Sequence, residues 1–228
     1  VDEAGFRQAM DEHRLASGGG KAMGRMGGHD AEYFAGLFKD LRKQGKLDEH
    51  GVEYDPYTSL HIETEVLALI VNGESVESAS FSDPVEVILP RTGFYIESGG
   101  QVSGEGIIRS MSSGDSGWEI EVTSMRRPSA GIIVHIGEVV SGRPRVGEPC
   151  LAEVDMDRRH DIMRNHTATH LMHAALHQVL GEHARQAGSL VAPDRLRFDF
   201  NHPEAMTPEQ IERVEKMVNE AIAADMSV

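Results

Sequence analysis

The sequence predicts an α+β protein in which a helical linker precedes a small antiparallel β-barrel and a mixed α/β domain. Two changes of hydrophobic period carry this prediction. Apolar and polar residues alternate in short runs between residues 60 and 155, which is typical of half-buried strands. The spacing becomes helical from Asp157 onward. The predicted domains are therefore 1–56, 57–155 and 156–228, and the last is expected to be truncated at its C-terminus.

The linker predicts two helices, at 2–16 and 31–46, on either side of a glycine-rich segment. Residues 17–30 contain six glycines and no periodicity, so we expect an irregular and mobile loop with a high entropy cost of ordering. Lys21 follows three of these glycines. The spacing of a phosphate-binding loop is missing, however, and nucleotide binding is not predicted there.

The central segment predicts a barrel because many short strands follow one another, separated by Gly, Pro, Ser and Asp. Its first strand alternates from Ile62 to Ile70, and Asn72-Gly73 is a typical hairpin turn. The further predicted strands lie at 76–81, 85–89, 106–111, 118–125, 131–137 and 150–154. A β-sandwich is the alternative architecture for strands at this spacing.

The last segment predicts a long helix, a strand and a second helix. Asp157 and Gly181 are the expected caps of the long helix. Residues 196–200 alternate as a strand. Residues 207–210, Thr-Pro-Glu-Gln, form a capping box with proline at the first helical position. The helix that they open carries an expected apolar stripe of Ile211, Val214, Val218 and Ile222.

Four histidines share one face of the predicted long helix. His166, His170, His173 and His177 fall within roughly 60° of one another when each residue turns by 100°. Two imidazoles at positions i and i+4 of a helix can bind one metal ion together, and imidazole is an ordinary zinc ligand. Thr167 stands where a zinc protease of the HExxH type needs its glutamate base, which excludes that mechanism. Surface histidines on a solvated helix face are the alternative interpretation.

Composition excludes several classes of protein. A net charge of −15 argues against a broad basic surface for nucleic acid, although the 22 lysines and arginines leave room for a local patch. No run approaches 18 apolar residues, so no membrane span is expected. The single cysteine, Cys150, excludes an internal disulfide framework and indicates a reducing, cytoplasmic compartment. We expect this thiol in the core rather than on a metal.

Several stretches resemble the editing domain of alanyl-tRNA synthetases. They are RNHTATHLMHAAL at 164–176, QAGSLV at 186–191, LRFDF at 196–200 and GFYIESGGQ at 93–101. The first six residues are similar to the linker helix that follows the aminoacylation domain in that family. The resemblance runs over nearly the whole chain in family order. It implies a barrel followed by the editing domain, in a chain that is a fragment of a longer protein.

The resemblance implies a zinc site in which His166 and His170 correspond to the first two ligands. The family's other ligands, from a Cys-x-x-x-His motif, have no counterpart in this sequence. We therefore expect this chain by itself to hold zinc poorly and to be inactive. No Ser-His-Asp set is evident, so a zinc-site water is the expected nucleophile, activated by the metal or with the substrate positioned by it. ATP and Mg²⁺ belong to the family's aminoacylation domain, which is absent here.

The implied substrates are the esters of Ser-tRNA(Ala) and Gly-tRNA(Ala). A pocket for a methyl side chain discriminates against such neighbours by only about 10- to 200-fold, so a second, hydrolytic site is needed. The implied partners are the tRNA(Ala) acceptor end and the rest of the synthetase. Expected substrate contacts are Gly99, Gly100, Gln101, Gln186, Ser189, Arg197 and Asp199, and expected tRNA contacts are Arg158, Arg159 and Arg164. A non-catalytic module that binds the acceptor end, or a free-standing deacylase, is the alternative.

Overall fold

The computed structural model describes residues 28–112 and 117–225. Within these ranges the helices are α1 (Gly28–Lys43), α2 (Met156–Leu180) and α3 (Pro208–Ala223). The strands are β1 (Glu53–Tyr54), β2 (His61–Glu65), β3 (Ala68–Val71), β4 (Glu74–Val76), β5 (Pro84–Ile88), β6 (Arg91–Thr92), β7 (Gly106–Ser110), β8 (Glu119–Ser129), β9 (Ile132–Ser141), β10 (Pro149–Val154), β11 (Gln186–Val191) and β12 (Leu196–Phe200). None of the helices described is long and apolar enough to cross a membrane.

Eight strands form one antiparallel sheet in the order β2-β10-β7-β8-β9-β5-β3-β4. The outer strand β2 leads into β3 through Val66 and Leu67, both buried. The Val66 N–H donates to the Glu148 carbonyl beside β10, and the Leu67 N–H donates to the Ile88 carbonyl at the end of β5. The continuous segment 61–71 therefore forms hydrogen bonds beside β10, near one edge of the sheet, and at the end of β5, towards the other edge. The predicted antiparallel sheet is confirmed, whereas its closure into a barrel stays a prediction.

Local turn chemistry explains the hairpin between β3 and β4. Asn72 and Gly73 have φ values of 53° and 83°, the left-handed conformation that asparagine and glycine tolerate best. The predicted hairpin turn is thus confirmed. The strand predicted at 76–81 is wrong in extent, because β4 ends at Val76. Residues beyond it bond to the loop before β10, as where the Ala79 N–H donates to the Pro144 carbonyl.

Helix α1 packs on the sheet through one apolar face. Phe34 and Leu41 are buried in the core formed by the sheet. Arg126 of β8 lies over the Phe34 ring at 4.8 Å and pairs with Asp30 at 2.5 Å and with Glu86 at 2.8 Å, which ties the helix to two strands. The helix predicted at 31–46 is confirmed, but it starts and ends earlier, at Gly28 and Lys43.

Part of the predicted linker can be compared with the structure. Residues 28–30 were expected to belong to the irregular glycine-rich loop, but they form the first turn of α1. The rest of that loop and the helix predicted at 2–16 lie outside the described residues.

A second apolar cluster joins α2 and α3. Ala175, Leu176 and Val214 are buried at its centre. Partly buried neighbours surround them: Met172, Val179, Leu180, Phe198, Phe200, Met206, Met217 and Val218. Of the expected stripe on α3, Ile211 and Ile222 are exposed, whereas Val214 between them is buried against α2. The separate core supports a division near residue 155, although the predicted domain bounds stay predictions.

The helix caps explain where α2 and α3 begin and end. The N-cap of α2 is Asp155, whose side chain accepts the Arg158 N–H at 2.9 Å, so the prediction of Asp157 is wrong by two residues. Gly181 is the C-cap, as predicted. Thr207 and Gln210 form the predicted capping box of α3, each side chain accepting the other's backbone N–H.

His135 of β9 is a fully buried imidazole in the sheet core. Its Nδ1 lies 3.1 Å from the Val87 carbonyl oxygen, which can only accept, so Nδ1 carries the hydrogen. Its Nε2 then accepts from the Thr92 hydroxyl at 2.8 Å. Burial lowers the pKa of His135 to about 4 and outweighs the opposing effect of the bond to Val87. The folded protein therefore holds this ring neutral.

We expect His135 to make the fold sensitive to mild acid. The unfolded chain protonates this residue near its ordinary pKa of 6.5, whereas the folded chain does so only near 4. Between these values the unfolded state binds more protons, so the free energy of unfolding falls by about 1.4 kcal/mol per pH unit, or about 2 kcal/mol by pH 5. Urea unfolding at pH 7, 6 and 5 measures this slope.

The matched variants are His135→Gln, which removes the buried imidazole, and His50→Gln, which removes one that is 84% exposed. The first should reduce the slope in this window by the contribution of His135, and the second should leave the slope unchanged. Equal slopes for wild type and His135→Gln would contradict the assignment.

Candidate functional site

The first half of α2 lies against the loop at 98–101 and the end of β11. His166 Nδ1 is 2.6 Å from Gln101 Oε1, across 65 residues of sequence. The adjacent Asn165 donates from Nδ2 to the carbonyls of Ala192 at 2.7 Å and Pro193 at 3.1 Å. These contacts fix the histidine face of the helix relative to both neighbouring segments.

The loop at 98–101 is bonded to β11 through its backbone. The Val191 N–H donates to the Gly100 carbonyl at 2.8 Å, and the Val102 N–H donates to the Val191 carbonyl at 3.1 Å. Ser98 and Gln101 also exchange backbone hydrogen bonds and close a tight turn. The turn is thus a structural element as well as a candidate substrate loop.

Two predicted polar residues of β11 reach this loop. The Ser189 hydroxyl donates to the Gly99 carbonyl at 3.2 Å and accepts from Gln186 Nε2 at 2.9 Å. The structure therefore brings Gly99, Gly100, Gln101, Gln186 and Ser189 together beside His166. Five of the seven predicted substrate residues share one location.

The two glycines of the loop have different surroundings. Both have positive φ, 60° at Gly99 and 85° at Gly100. A Cβ added at Gly100 would overlap the Ser189 side chain and lie 2.5 Å from the Ser189 carbonyl oxygen. A Cβ added at Gly99 would meet no atom within 4 Å. Gly100 therefore permits a close backbone approach, while Gly99 borders open space.

The four histidines of α2 are arranged as two pairs. The rings of His166 and His170 stack with their centroids 5.1 Å apart, and the ring centroids of His173 and His177 are 4.3 Å apart. Burial, and secondarily the nearby His170, lowers the pKa of His166. Burial, followed by His177 and His170, also lowers the pKa of His173. Both effects favour neutral imidazole, the form that binds metal ions.

The fit to zinc is partial. In the described part of the chain, no group of three or more His, Cys, Asp or Glu side chains is arranged to hold a metal ion. Cys150 lies fully buried in β10, and burial, with a smaller effect of Glu65, raises the pKa of its thiol to about 12. It is a core residue, as expected. The residues present fit half of a zinc shell, His166 and His170, and zinc binding stays a prediction.

Arg197 and Asp199 are not brought to this cluster. They pair with each other at 3.1 Å on β12, and both side chains are exposed. In the register of the β11–β12 pair, Ser189 is opposite Phe198 and Leu190 is opposite Arg197. Because side chains alternate along a strand, Arg197 and Asp199 lie on the face away from Ser189. The two residues form an ion pair on the exposed face, and their role as substrate contacts stays a prediction.

Arg159, one of the predicted tRNA contacts, lies in a buried position. Its residue surface is only 7% exposed. The guanidinium donates to the Pro56 carbonyl at 2.6 Å and to the Gly93 carbonyl at 3.1 Å. Burial lowers the pKa of Arg159, with smaller opposing effects from nearby tyrosines. This side chain therefore ties α2 to the loops around the large sheet. Its burial argues against the tRNA contact, which stays a prediction.

The two other predicted tRNA contacts differ in accessibility. Arg158 donates to the Ser103 carbonyl at 3.0 Å and pairs with Glu105 at 2.5 Å, so its guanidinium is largely engaged. Arg164 has a side chain that is 76% exposed and pairs with Asp161, one turn away on the same helix. Of the three arginines, Arg164 is the one whose position suits a phosphate contact.

Asn165 and Thr169 border the histidine face, and the residue pattern alone predicts no specific role for them. The Thr169 hydroxyl is bonded to the Asn165 carbonyl at 2.7 Å, and Thr169 is buried. Asn165 holds the end of β11 with its amide. The sequence signal for Asn165 is a polar amide beside a candidate metal ligand. The carbonyls that it contacts, at Ala192 and Pro193, are close to it only in the folded chain.

Comparison with known proteins identifies relatives of the whole chain. Residues 1–158 match the family described as tRNA synthetases class II (A). An alanine–tRNA ligase of Chloroflexus aurantiacus is 43% identical over 228 residues, covering 100% of this chain and 24% of the relative. Those of Roseiflexus sp. and Thermus thermophilus are each 44% identical, with 23% and 24% of the relative covered. The chain thus spans about a quarter of the length of these relatives.

Proposed function

Because the chain belongs to the class II tRNA synthetase (A) family, we propose that it is the editing region of an alanyl-tRNA synthetase. In this role it hydrolyses the esters of mischarged Ser-tRNA(Ala) and Gly-tRNA(Ala), while the parent enzyme attaches alanine with ATP and Mg²⁺. The observation that carries the proposal is the convergence of His166, Gln101 and Ser189 from three segments beside an open glycine loop. That convergence combines metal-binding imidazole with polar groups suited to an aminoacyl ester.

His166 and His170 would hold the zinc ion, with the remaining ligands supplied by the rest of the parent protein. When bound, zinc supplies a Lewis acid that polarises the ester carbonyl or lowers the pKa of a water. The two stacked imidazoles are the candidate ligands, and one helix holds both of them rigidly. Asn165 bonds this helix to the end of β11. Preorganisation of this kind is what a hydrolytic site requires.

Gln186 and Ser189 would contact the amino acid or the ribose. The Ser189 hydroxyl donates to Gly99 and accepts from Gln186, which leaves it one further acceptor position. Gln186 is exposed and keeps its carboxamide oxygen available to a ligand. Open space beside Gly99 allows the terminal adenosine to approach the backbone closely. These residues orient the ester and take no covalent part in its cleavage.

Contacts with tRNA would come from Arg164 and from the rest of the synthetase. Arg164 precedes His166 by two residues on α2, and its exposed side chain would contact a phosphate of the bound tRNA from outside the histidine face. The chain's net charge of −15 makes this a local contact and not a broad basic surface. We also propose that the large sheet closes as a small barrel through the continuous segment 61–71.

A non-catalytic module that binds the acceptor end is the second candidate. The specific observation in its favour is the incomplete ligand set among the described residues. Binding without chemistry needs only the loop, the polar side chains and Arg164.

Hydrolysis of three charged tRNAs by the full-length parent separates these functions. We expect accelerated release of serine from Ser-tRNA(Ala) and of glycine from Gly-tRNA(Ala), with Ala-tRNA(Ala) spared. Tight binding of all three without accelerated ester hydrolysis would instead favour the binding module.

A further inference from the structure

We infer that Gln101 is a positioning residue for the candidate zinc ligand His166 and that it does not contact the substrate. Gln101 Oε1 lies 2.6 Å from His166 Nδ1, and the glutamine residue is only 7% exposed. The inference deepens the proposed function and rests on it for the identity of the bound metal. It replaces the expectation that Gln101 belongs with the substrate contacts.

The chemistry of the contact determines which nitrogen of His166 carries the hydrogen. A carboxamide oxygen can only accept, so the short contact requires Nδ1 to donate. A neutral imidazole has a single N–H, which leaves the lone pair on Nε2. Metal-bound histidines commonly donate their other ring N–H to an oxygen acceptor, which fixes both tautomer and ring orientation. Gln101 Oε1 supplies that acceptor.

The backbone holds Gln101 firmly enough for this role. Its N–H and carbonyl bond to Ser98 across the tight turn, and the next residue, Val102, bonds to Val191 of β11. The glutamine therefore belongs to a segment bonded to the same strand that Asn165 contacts through Ala192. The acceptor and the imidazole are thus held by one connected set of hydrogen bonds.

Burial distinguishes Gln101 from Gln186. Gln186 is exposed at the open side of the cluster, where a ligand can reach it. Gln101 is buried, and its oxygen is already engaged by His166. Of the two glutamines predicted to bind substrate, only Gln186 keeps that role.

Side-chain ¹H–¹⁵N correlation spectra of the metal-free 228-residue chain test the tautomer directly, with His166 assigned through His166→Ala. We expect wild type to hold His166 predominantly with hydrogen on Nδ1. Gln101→Leu should shift the population towards hydrogen on Nε2, and Gln101→Glu, which retains an oxygen acceptor, should preserve the wild-type form. Gln178→Leu, at an exposed glutamine of α2, is the matched control and should change nothing.

Zinc affinity of the full-length parent provides the second readout. Loss of such an outer partner typically weakens metal binding by about 10- to 100-fold, which we expect for Gln101→Leu and for the smaller change Gln101→Asn. Gln101→Glu should restore wild-type affinity. Thermal unfolding identifies any variant that fails to fold. If Gln101→Leu fails to fold, Gln101→Asn is compared with wild type in its place.

Three results would overturn the inference. They are hydrogen on Nε2 in wild type, a tautomer unaffected by Gln101→Leu, and Gln101→Glu with full zinc affinity but no ester hydrolysis. The last would return Gln101 to the substrate contacts. Absence of hydrolysis in the wild-type parent would instead contradict the proposed function and leave the tautomer result standing.

Discussion

Replacing Gly100 with alanine is expected to damage both the fold and the site, whereas the same change at Gly99 should damage neither as severely. Both positions have positive φ, so both variants incur left-handed strain of about 1–2 kcal/mol. Only at Gly100 does the new Cβ meet Ser189, including its backbone oxygen at 2.5 Å. Overpacking of this kind adds about 1–3 kcal/mol, because the loop must move away from β11.

Urea unfolding of the two variants measures that difference, and hydrolysis of Ser-tRNA(Ala) by the full-length parent measures its effect on the site. Gly99→Leu provides a further comparison, because its side chain would enter the open space beside the loop. It should reduce hydrolysis more than it reduces stability. Equal destabilisation by Gly99→Ala and Gly100→Ala would show that the contact with Ser189 is unimportant.

Replacing His166 or His170 with alanine is expected to abolish zinc retention by the full-length parent. Each variant leaves at most three protein ligands of the four that the family resemblance implies, and a structural shell of four is what gives such sites about 10–16 kcal/mol of binding free energy. Metal analysis after dialysis should find about one zinc per wild-type chain and almost none in either variant.

His160→Ala is the matched control, because His160 is an exposed histidine near the start of the same helix. It should retain the wild-type zinc content. Stoichiometric zinc in both His166→Ala and His170→Ala would show that the metal binds to other residues. Absence of zinc from the wild-type protein would contradict zinc binding altogether.

Features governed by neighbouring residues could be predicted from the sequence. Asn72-Gly73 determines its turn through backbone conformation, and Thr207 with Gln210 caps α3 through groups three residues apart. The i and i+4 spacing likewise places His166 and His170 on one helix face. Each depends on local geometry, so the pattern of residue types is sufficient.

Features governed by distant partners could not be predicted in this way. The burial of Arg159 depends on carbonyls at Pro56 and Gly93, 103 and 66 residues earlier. Arginine side chains are rarely buried, so the residue type by itself favours a surface position for Arg159. The face on which Arg197 lies depends on how β12 pairs with β11 and packs on α2. Alternation alone identifies two faces and does not say which one meets the site.

The candidate site combines both cases. Its residues were predicted individually, but the division between Gln101, which contacts His166, and Gln186, which stays exposed, appears only in the folded chain. The exposed positions of Ile211 and Ile222 follow the same principle, since a helical stripe is buried only where another element covers it.

The most direct test of the central claim is the rate of Ser-tRNA(Ala) hydrolysis by the zinc-loaded full-length parent, measured beside its His166→Ala variant under conditions in which both bind the tRNA fully. We predict rapid hydrolysis by wild type and a loss of at least about 100-fold in the variant, since removing a metal ligand should cost more than removing its outer partner. Equal rates in the two proteins, or a wild-type rate no faster than buffer, would contradict a hydrolytic site on this helix.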